Sequence, residues 1–284
     1  MPELPEVEVL VRHLAPLVRA RKIKHVEVRR LTILASTPFQ EFRRVLTGAT
    51  ITGLARRGKY LLFEVRPTRG RSTRLLVGHL GMTGRMYLSP AKIPLPKHAA
   101  VVFDFGREKF VFEDTRYFGR MTFDDRAIGE LGPEPLQNEF TVAGFSDALK
   151  SSAQAIKIKL LDQRLVAGVG NIYASEALFR AGISPRIAAQ CLKPAQVARL
   201  WRAIRETLAE AIDCGSTIPL NYAGDGKRDG LFYFGGISGA RDSSEERLRV
   251  YDRRKKPCFK CGSEIRRIVQ AARSTFYCPK CQRD

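Results

Sequence analysis

Two CxxC pairs decide the fold of the last part of this 284-residue chain: Cys258-Phe259-Lys260-Cys261 and Cys278-Pro279-Lys280-Cys281, with 16 residues between them. This spacing is typical of a four-cysteine zinc site, in which two knuckles surround a tetrahedral ion and the residues between them form a β-hairpin. Four thiolates leave no open coordination position, so we expect one structural zinc ion. Chance cysteines and a redox pair are the alternatives, and the ligand spacing of both pairs favours zinc.

The whole chain is strongly basic, with 49 Lys and Arg residues against 29 Asp and Glu residues and a formal net charge of +20. Such a surface suits a polyanion, and nucleic acid is the first candidate partner. The sequence has no apolar run of about 18 residues and no basic-then-apolar start of a signal peptide. We therefore expect a cytoplasmic protein with no membrane partner, whose reduced thiols are free to bind metal.

The fold class predicted from the remaining patterns is α+β. Leu4, Val7, Val11, Leu14 and Val18 recur at helical spacing, and short β-rich runs separated by turns then fill residues 25 to 125. These patterns predict an N-terminal β-sandwich with a flanking helix. A turn-rich break follows at 131–136, and helical patterns cover 155–166, 171–181 and 194–212. The C-terminal domain is therefore predicted to be helical and to end in the zinc-bound β-hairpin.

The chain opens with Met1-Pro2-Glu3-Leu4-Pro5-Glu6. Removal of the initiator methionine would leave Pro2 with a secondary amine. An α-amino group titrates at about 7.7–8.0, so part of it is neutral near pH 7 and can attack a sugar C1′. Glu3 is close enough to handle protons. An acidic start that caps a helix is the alternative interpretation of this stretch.

Three further motifs lie between the opening hexapeptide and the CxxC pairs. They are His79-Leu-Gly-Met-Thr-Gly84, Asp114-Thr-Arg-Tyr-Phe-Gly119 and Gly168-Val-Gly-Asn-Ile-Tyr-Ala-Ser-Glu176. Together the five motifs resemble those of the bacterial formamidopyrimidine-DNA glycosylases (Fpg, or MutM) of the Fpg/Nei family. The resemblance extends from Pro2 to Cys281. It implies an enzyme that excises oxidised purines such as 8-oxoguanine from damaged double-stranded DNA and then nicks the abasic strand. It implies no catalytic metal and no organic cofactor.

The resemblance also assigns roles to single residues. It implies that Pro2 is the nucleophile, Glu3 the proton donor, Lys59 an assistant in β-elimination and Arg273 a phosphate ligand that aids δ-elimination. The implied DNA-contact residues are Met82, Arg116 and Phe118, which fill the void in the opened duplex, and His98, Lys157 and Asn171, which contact backbone phosphate. Backbone N–H groups at the start of the helix after Gly170 could bind phosphate as well.

With these roles, the predicted segments are a catalytic β-sandwich domain (1–130), a linker region (131–150), a helix–two-turn–helix DNA-binding domain (151–220), a lesion-capping loop (221–250) and a four-cysteine zinc-finger hairpin (251–284). We expect a monomer that associates with the bacterial nucleoid through DNA. Two departures from the family pattern matter. Ser151-Ser152 stand where a lysine often contacts DNA, and the stretch from Asp225 to Tyr251 is longer than usual, which leaves substrate preference open.

Three alternatives remain at the level of sequence. A Nei-like enzyme would use the same fold and amine chemistry on oxidised pyrimidines. A damage-binding paralogue would recognise the lesion without cutting, although Pro2, Glu3, Lys59 and Arg273 are all present. A zinc-ribbon nucleic-acid module would explain the cysteines and the charge but not the opening hexapeptide.

Overall fold

A computed structural model describes residues 2–68, 72–215 and 248–283. Within these ranges the chain forms two compact units. The first contains residues 2 and 6–129, and the second contains residues 3–5, 130–215 and 248–283. The capping loop predicted at 221–250 lies almost entirely outside the described residues. Among the described helices, none is long and apolar enough to cross a membrane.

The first unit is built on two antiparallel sheets. Its strands are β1 (His25–Val28), β2 (Thr50–Arg57), β3 (Tyr60–Arg66), β4 (Arg74–His79), β5 (Arg85–Pro90), β6 (Ala99–Asp104), β7 (Glu108–Glu113) and β8 (Arg120–Thr122). One sheet has the order β1-β6-β7-β5 and the other the order β2-β3-β4-β8. The helices of this unit are α1 (Leu4–Val18), which begins in the second unit, α2 (Phe39–Leu46) and α3 (Arg126–Gly129), with a 3₁₀ turn at Leu31–Leu34.

The two sheets share one apolar core, which makes the unit a β-sandwich. In β3 the alternate residues Leu61, Phe63 and Val65 are fully buried, as expected for a strand with one face inward. The rings of Phe63 and Phe110, one from each sheet, meet edge to face with centroids 5.7 Å apart. Apolar residues of α1 complete the same cluster. The predicted sandwich with a flanking helix is confirmed.

The second unit is mainly helical. Its elements are α4 (Val142–Lys150), α5 (Ile156–Lys159), α6 (Asn171–Ala181), a 3₁₀ turn (Ala189–Cys191), α7 (Pro194–Asp213), β9 (Arg266–Gln270) and β10 (Arg273–Tyr277). Buried apolar side chains of α4, α5, α6 and α7 form one cluster. The segment 131–150, predicted as a linker region, thus contains a packed helix, and its segment boundaries stay a prediction.

The helix predicted over 155–166 is shorter than the pattern indicates, since α5 ends at Lys159. The side chains of two polar residues explain the difference. Asp162 Oδ1 accepts a hydrogen bond from the N–H of Arg164 at 3.0 Å. Gln163 donates to the carbonyls of Leu161 and Val169 and accepts from the N–H of Gly168. Such local side-chain bonds compete with the helical ladder and hold residues 161–169 as turns that lead into α6.

A two-residue turn joins β9 to β10 and places Arg273 at the first position of β10. Gln270 pairs with Arg273, so Ala271 and Ala272 are the central residues of the turn. Both have positive φ, 45° and 59°. This is the backbone of a type I′ turn, which matches the twist of the strands and is usually made by Asn-Gly. Arg273 is therefore exposed at the tip of the hairpin, next to the turn.

Candidate functional site

The start of the chain carries the two residues predicted to perform the chemistry, and both are buried. The Glu3 carboxylate accepts hydrogen bonds from the backbone N–H groups of Ile172 at 2.9 Å and Tyr173 at 3.3 Å. These groups lie in the first turn of α6, where helix geometry leaves N–H groups without intrahelical acceptors. The two N–H bonds hold the Glu3 side chain in place, directly after Pro2 in the chain.

The two glycines of the Gly168-Val-Gly170 motif make room for this arrangement. Gly168 has φ +85°, and a Cβ atom there would lie 2.6 Å from the Leu4 side chain. A Cβ atom on Gly170 would lie 2.3 Å from the Glu3 carboxyl carbon. Phosphate binding by backbone N–H groups was expected here, but the N–H groups of Ile172 and Tyr173 already donate to Glu3. Gly170 thus leaves space for the Glu3 carboxylate, and Gly168 leaves space for the Leu4 side chain.

Lys59 lies in the tight turn between β2 and β3 and is buried. Gly58 precedes it with φ +55°, as a type II′ hairpin turn requires at its first central position. Arg56 donates through Nη1 to the Gly58 carbonyl at 3.1 Å and through Nε to Glu8 Oε2 at 2.7 Å. Because Glu8 belongs to α1, these bonds fix the turn that carries Lys59 against that helix.

His79 ends β4 next to this turn. It pairs with Tyr60, and the two rings lie 4.8 Å apart between centroids. Burial and, to a smaller extent, the positive charges of Lys59 and Arg120 together lower the pKa of His79 to about 4. Its Nδ1 accepts the N–H of Gly81 at 3.0 Å, so Nε2 carries the proton of the neutral ring. His79 is therefore an uncharged neighbour of Lys59 near pH 7.

Two short segments present the residues predicted to fill the opened duplex. Met82 follows β4, and Arg116 and Phe118 lie between β7 and β8. Met82 is 43% exposed and Phe118 is 51% exposed, so both large apolar side chains are accessible at the surface. The Arg116 guanidinium lies 4.7 Å from the centroid of the Phe118 ring. The structure thus presents apolar and cationic side chains on turns, where a DNA wedge needs them.

His98 approaches the second of these segments. Its Nδ1 lies 3.3 Å from the Tyr117 hydroxyl. Tyr117 has φ +54°, a left-handed conformation that a non-glycine residue rarely adopts. The Arg30 guanidinium lies over its ring, 4.2 Å from the centroid. These contacts hold Tyr117 between Arg116 and Phe118, so His98 helps to set the conformation of the predicted DNA-contact turn.

Lys157 and Asn171 meet in the second unit. Lys157 is fully buried, and its Nζ donates to Asn171 Oδ1 at 2.7 Å. Asn171 Nδ2 in turn donates to the carbonyl of Ser274 at 2.9 Å. Ser274 follows Arg273 in β10, so the two predicted phosphate contacts and the hairpin arginine belong to one connected region. The buried position of Lys157 favours a role in orienting Asn171.

The four cysteines converge as the sequence predicts. Their sulfur atoms all lie within 4.8 Å of one another, with 3.9 Å between Cys258 and Cys281 and 3.4 Å between Cys261 and Cys278. A tetrahedral zinc ion with Zn–S bonds of about 2.3 Å separates its sulfur ligands by about 3.8 Å. The N–H groups of Lys260 and Cys281 point at the sulfurs of Cys258 and Cys278. The cluster fits a structural zinc ion, which these four thiolates would hold.

Glu176 and Gln163 show how the second unit holds its predicted site residues. The buried Glu176 carboxylate accepts the N–H groups of Arg249, Val250 and Tyr251, which lead into the zinc hairpin. Sequence reasoning assigned no role to Gln163, whose amide closes the turn before α6. The available signal was the polar run Asp162-Gln163-Arg164, which interrupts the apolar residues of that segment. Its function becomes visible only when its partners are in place.

Models of three protein domains match this chain. The formamidopyrimidine-DNA glycosylase N-terminal domain matches residues 1–121, the H2TH domain of the same enzyme matches 131–221, and the zinc finger found in FPG and IleRS matches 255–283. Formamidopyrimidine-DNA glycosylase of Carboxydothermus hydrogenoformans is 38% identical over 283 residues, covering all of both chains. The Rhizorhabdus wittichii enzyme is 42% identical over 294 residues, also at full coverage.

Solved structures agree with these matches. A Lactococcus lactis FPG mutant in complex with Fapy-dG-containing DNA superimposes with a TM-score of 0.87 at 33% identity, with full coverage of both chains. The wild-type Lactococcus lactis Fpg bound to DNA that contains an oxidised pyrimidine gives a TM-score of 0.85 at 33% identity and the same coverage. Since the domain models, the full-length relatives and the fold all agree, the chain belongs to the formamidopyrimidine-DNA glycosylase family of DNA repair enzymes.

Proposed function

We propose that the protein is a bifunctional DNA glycosylase and abasic-site lyase that removes oxidised purines, among them 8-oxoguanine and formamidopyrimidines. The observation that carries the proposal concerns Glu3, which directly follows the candidate nucleophile. Its carboxylate is anchored by hydrogen bonds to the N-terminus of α6. Gly170 has no side chain, which leaves the space that this carboxylate occupies. The Lactococcus lactis relative bound to Fapy-dG-containing DNA supports the substrate class.

The chemistry begins at Pro2. After removal of Met1, the neutral secondary amine attacks C1′ of the damaged nucleoside while Glu3 supplies a proton that lets the sugar ring open. The base leaves, and Pro2 remains joined to C1′ as an iminium that is positively charged without protonation. The iminium acidifies the C2′ proton. Its removal, assisted by Lys59, expels the 3′ phosphate by β-elimination.

A second elimination releases the 5′ phosphate and leaves a one-nucleoside gap. Arg273 would bind phosphate in this step from the exposed tip of its hairpin. The zinc ion would hold that hairpin and take no part in the bond changes, because four cysteines would fill its coordination sphere. We propose no catalytic metal and no organic cofactor for these steps.

The exposed turns that carry Met82, Arg116 and Phe118 would open the DNA duplex. A stacked base must leave the duplex before it can react. Met82 and Phe118 would enter the space it vacates, and Arg116 would bond the orphaned cytosine on the other strand. His98 and Asn171 would contact backbone phosphate, with Lys157 beside Asn171.

We further propose that the protein acts as a monomer in the bacterial cytoplasm and is bound to the nucleoid through its DNA contacts. Its five predicted segments would divide the tasks of catalysis, DNA binding and lesion capping.

Borohydride trapping tests the central step. We expect the processed protein to become covalently linked to DNA that contains 8-oxoguanine or an abasic site. Pro2→Gly, or a wild-type protein with a blocked N-terminus, should lose most of this linkage, because a Schiff base needs the free amine. Undiminished trapping by the blocked protein would assign the nucleophile to another residue, and a lysine would be the next candidate.

A second candidate substrate class has a specific observation in its favour. The wild-type Lactococcus lactis relative was solved with DNA that contains an oxidised pyrimidine. Excision assays on matched duplexes with 8-oxoguanine or an oxidised pyrimidine separate the two classes. Faster excision of the pyrimidine would assign the protein to the Nei-like activity. Specific binding without excision of either lesion would indicate a damage-binding paralogue.

A further inference from the structure

Asp114 is a fully buried carboxylate directly after β7. Its backbone N–H donates to the carbonyl of His98 at 3.1 Å, which fixes the main chain at this point. A buried carboxylate is costly unless hydrogen-bond donors surround it. The donors around Asp114 come from two different segments of the chain, and the proposed DNA contacts lie on the same two segments.

The first segment is the turn 80–84, which carries Met82. The Thr83 hydroxyl donates to Asp114 Oδ1 at 2.6 Å. The second segment is the turn 115–119, which carries Arg116 and Phe118. The backbone N–H of Arg116 donates to the same Oδ1 at 3.1 Å, and the N–H of Gly119 donates to Oδ2 at 2.7 Å. One side chain therefore joins the two turns.

The backbones of the two turns also approach each other closely. Gly81 has φ +63°, and a Cβ atom there would lie 2.6 Å from the backbone nitrogen of Gly119. A Cβ atom on Gly119 would lie 3.2 Å from Asp114 Oδ2. Between the two bonded N–H groups, Tyr117 stands in the left-handed region. A strained residue of this kind persists only where its surroundings determine its conformation. Hydrogen bonds on both sides of Tyr117 meet that condition.

We propose that Asp114 is a positioning residue: it locks the Met82 turn and the Arg116–Phe118 turn into one rigid unit, and it thereby sets how strongly the enzyme reads the base opposite the lesion. Asp114 itself touches no DNA in this scheme. It acts through the backbone N–H of Arg116 and the hydroxyl of Thr83. The part about base reading rests on the proposed function.

Asp114→Asn is the sharpest test because it keeps the shape of the side chain. An amide has one acceptor oxygen and one donor NH₂ group, so either orientation turns a donor toward the N–H of Arg116 or toward that of Gly119. At least one of these N–H groups loses its bond to residue 114, and the N–H of Arg116 then keeps only the Thr83 hydroxyl, at 3.3 Å, as its acceptor. We expect faster hydrogen exchange at Arg116 or Gly119, and a preference for cytosine over adenine opposite 8-oxoguanine that falls about tenfold.

Asp104→Asn is the matched control. Asp104 Oδ1 accepts the N–H of Gly106 at 2.6 Å in another turn of the same unit, so the substitution makes the same change from carboxylate to amide away from the DNA-contact turns, and the amide oxygen can keep this single bond. We expect this variant to keep the wild-type preference for the opposite base. Arg116→Ala is the positive reference, because it removes the proposed reading side chain itself.

Thr83→Val gives a second route that disturbs folding less. It removes the hydroxyl that donates to Asp114 and accepts the N–H of Arg116 at 3.3 Å, and it leaves the bonds of Asp114 to the N–H groups of Arg116 and Gly119. If the proposed link is real, the effects of Thr83→Val and Asp114→Asn on base preference should fall short of additive in the double variant. Each variant should also lose more activity on duplex DNA than on a single strand with an abasic site, because the single strand has no orphaned base.

The outcomes separate this proposal from the function on which it rests. Unchanged exchange at Arg116 and Gly119 in Asp114→Asn overturns the proposal, whatever the activity. So does a full cytosine preference in Asp114→Asn when Arg116→Ala has lost it. If the wild-type protein neither traps nor excises 8-oxoguanine, the proposed function fails, and the exchange measurement still decides whether Asp114 joins the two turns.

Discussion

At the scale of single residues, the candidate site depends on an absent side chain at Gly170 and on an absent charge at His79. Gly170 has no side chain, and the Glu3 carboxyl group occupies the space beside it. His79 has lost its charge, because burial and the nearby Lys59 and Arg120 lower its pKa to about 4. Both features lie next to residues with proposed catalytic roles. Each leads to a measurable expectation.

Gly170→Ala should impair excision. Its Cβ atom would lie 2.3 Å from the Glu3 carboxyl carbon, so the carboxylate must move away from the N–H groups of α6. A displacement of about 1 Å in a catalytic site can cost about 100-fold in rate, and we expect a loss of kcat/KM of that order. Gly129→Ala is the control, since nothing lies within 4 Å of its added Cβ atom. Wild-type excision by Gly170→Ala would contradict the proposed role of Glu3.

His79 should make the protein less stable as the pH falls from about 6.5 to about 4. In this window the unfolded chain binds a proton on the imidazole and the folded protein does not, so stability rises with pH. The full shift corresponds to about 3 kcal/mol. Partial exposure of the ring reduces our expectation to about 2 kcal/mol. His79→Asn, which keeps an acceptor for the Gly81 N–H, should remove this part of the pH dependence in urea unfolding. An unchanged pH profile in that variant would contradict the assignment.

At the scale of elements, the structure relies on tight turns and helix ends. The hairpin of β9 and β10 places Arg273 beside a turn made of two alanines with positive φ, a conformation that alanine does not favour. The cysteine cluster and the Glu176 carboxylate hold the base of this hairpin and the segment before it. A metal ion that closes the cluster is therefore expected to compensate for the strained turn at its tip.

Cys258→Ser should lower bound zinc from one ion per chain, as measured by elemental analysis. DNA affinity should fall with it, because the hairpin that carries Arg273 loses its anchor. The β-sandwich should stay folded, since its core cluster contains none of these cysteines. Cys191→Ser, which changes an exposed cysteine elsewhere, is the control. A metal-free variant with wild-type DNA affinity would exclude this role of zinc.

At the scale of the whole molecule, the net charge of +20 suits a DNA ligand, and general attraction to phosphate brings no preference for any base. Specific reading must come from side chains that reach into the duplex. Arg116 is the candidate, because it lies with Phe118 on an exposed turn. Reading of the opposite strand can therefore be separated experimentally from affinity for DNA in general.

We expect 8-oxoguanine to be excised faster opposite cytosine than opposite adenine, and Arg116→Ala to narrow that difference. A good side-chain-to-base pairing contributes about 1–3 kcal/mol of discrimination, so the change should be clear in single-turnover assays. Arg12→Ala, in the surface ion pair with Glu8, is a control for the loss of one positive charge. If Arg116→Ala keeps the full preference, another group reads the opposite base.

The sequence by itself determined the zinc ligands, the candidate nucleophile, the fold class and the family. Each of these can be inferred from short motifs such as the CxxC pairs, or from the spacing of apolar residues along one element. The length of α5 was misjudged, because the hydrogen bonds of Asp162 and Gln163 outweigh the apolar pattern of that segment. Periodicity cannot report such bonds.

Only the tertiary structure decided how the site is held together. Glu3 binds N–H groups 169 and 170 residues away, and Asp114 binds a hydroxyl 31 residues away. The need for glycine at position 170 follows from the first contact, and the rigid pair of turns follows from the second. Such contacts join residues that no local pattern relates. They exist because a buried carboxylate must find donors wherever the folded chain brings them.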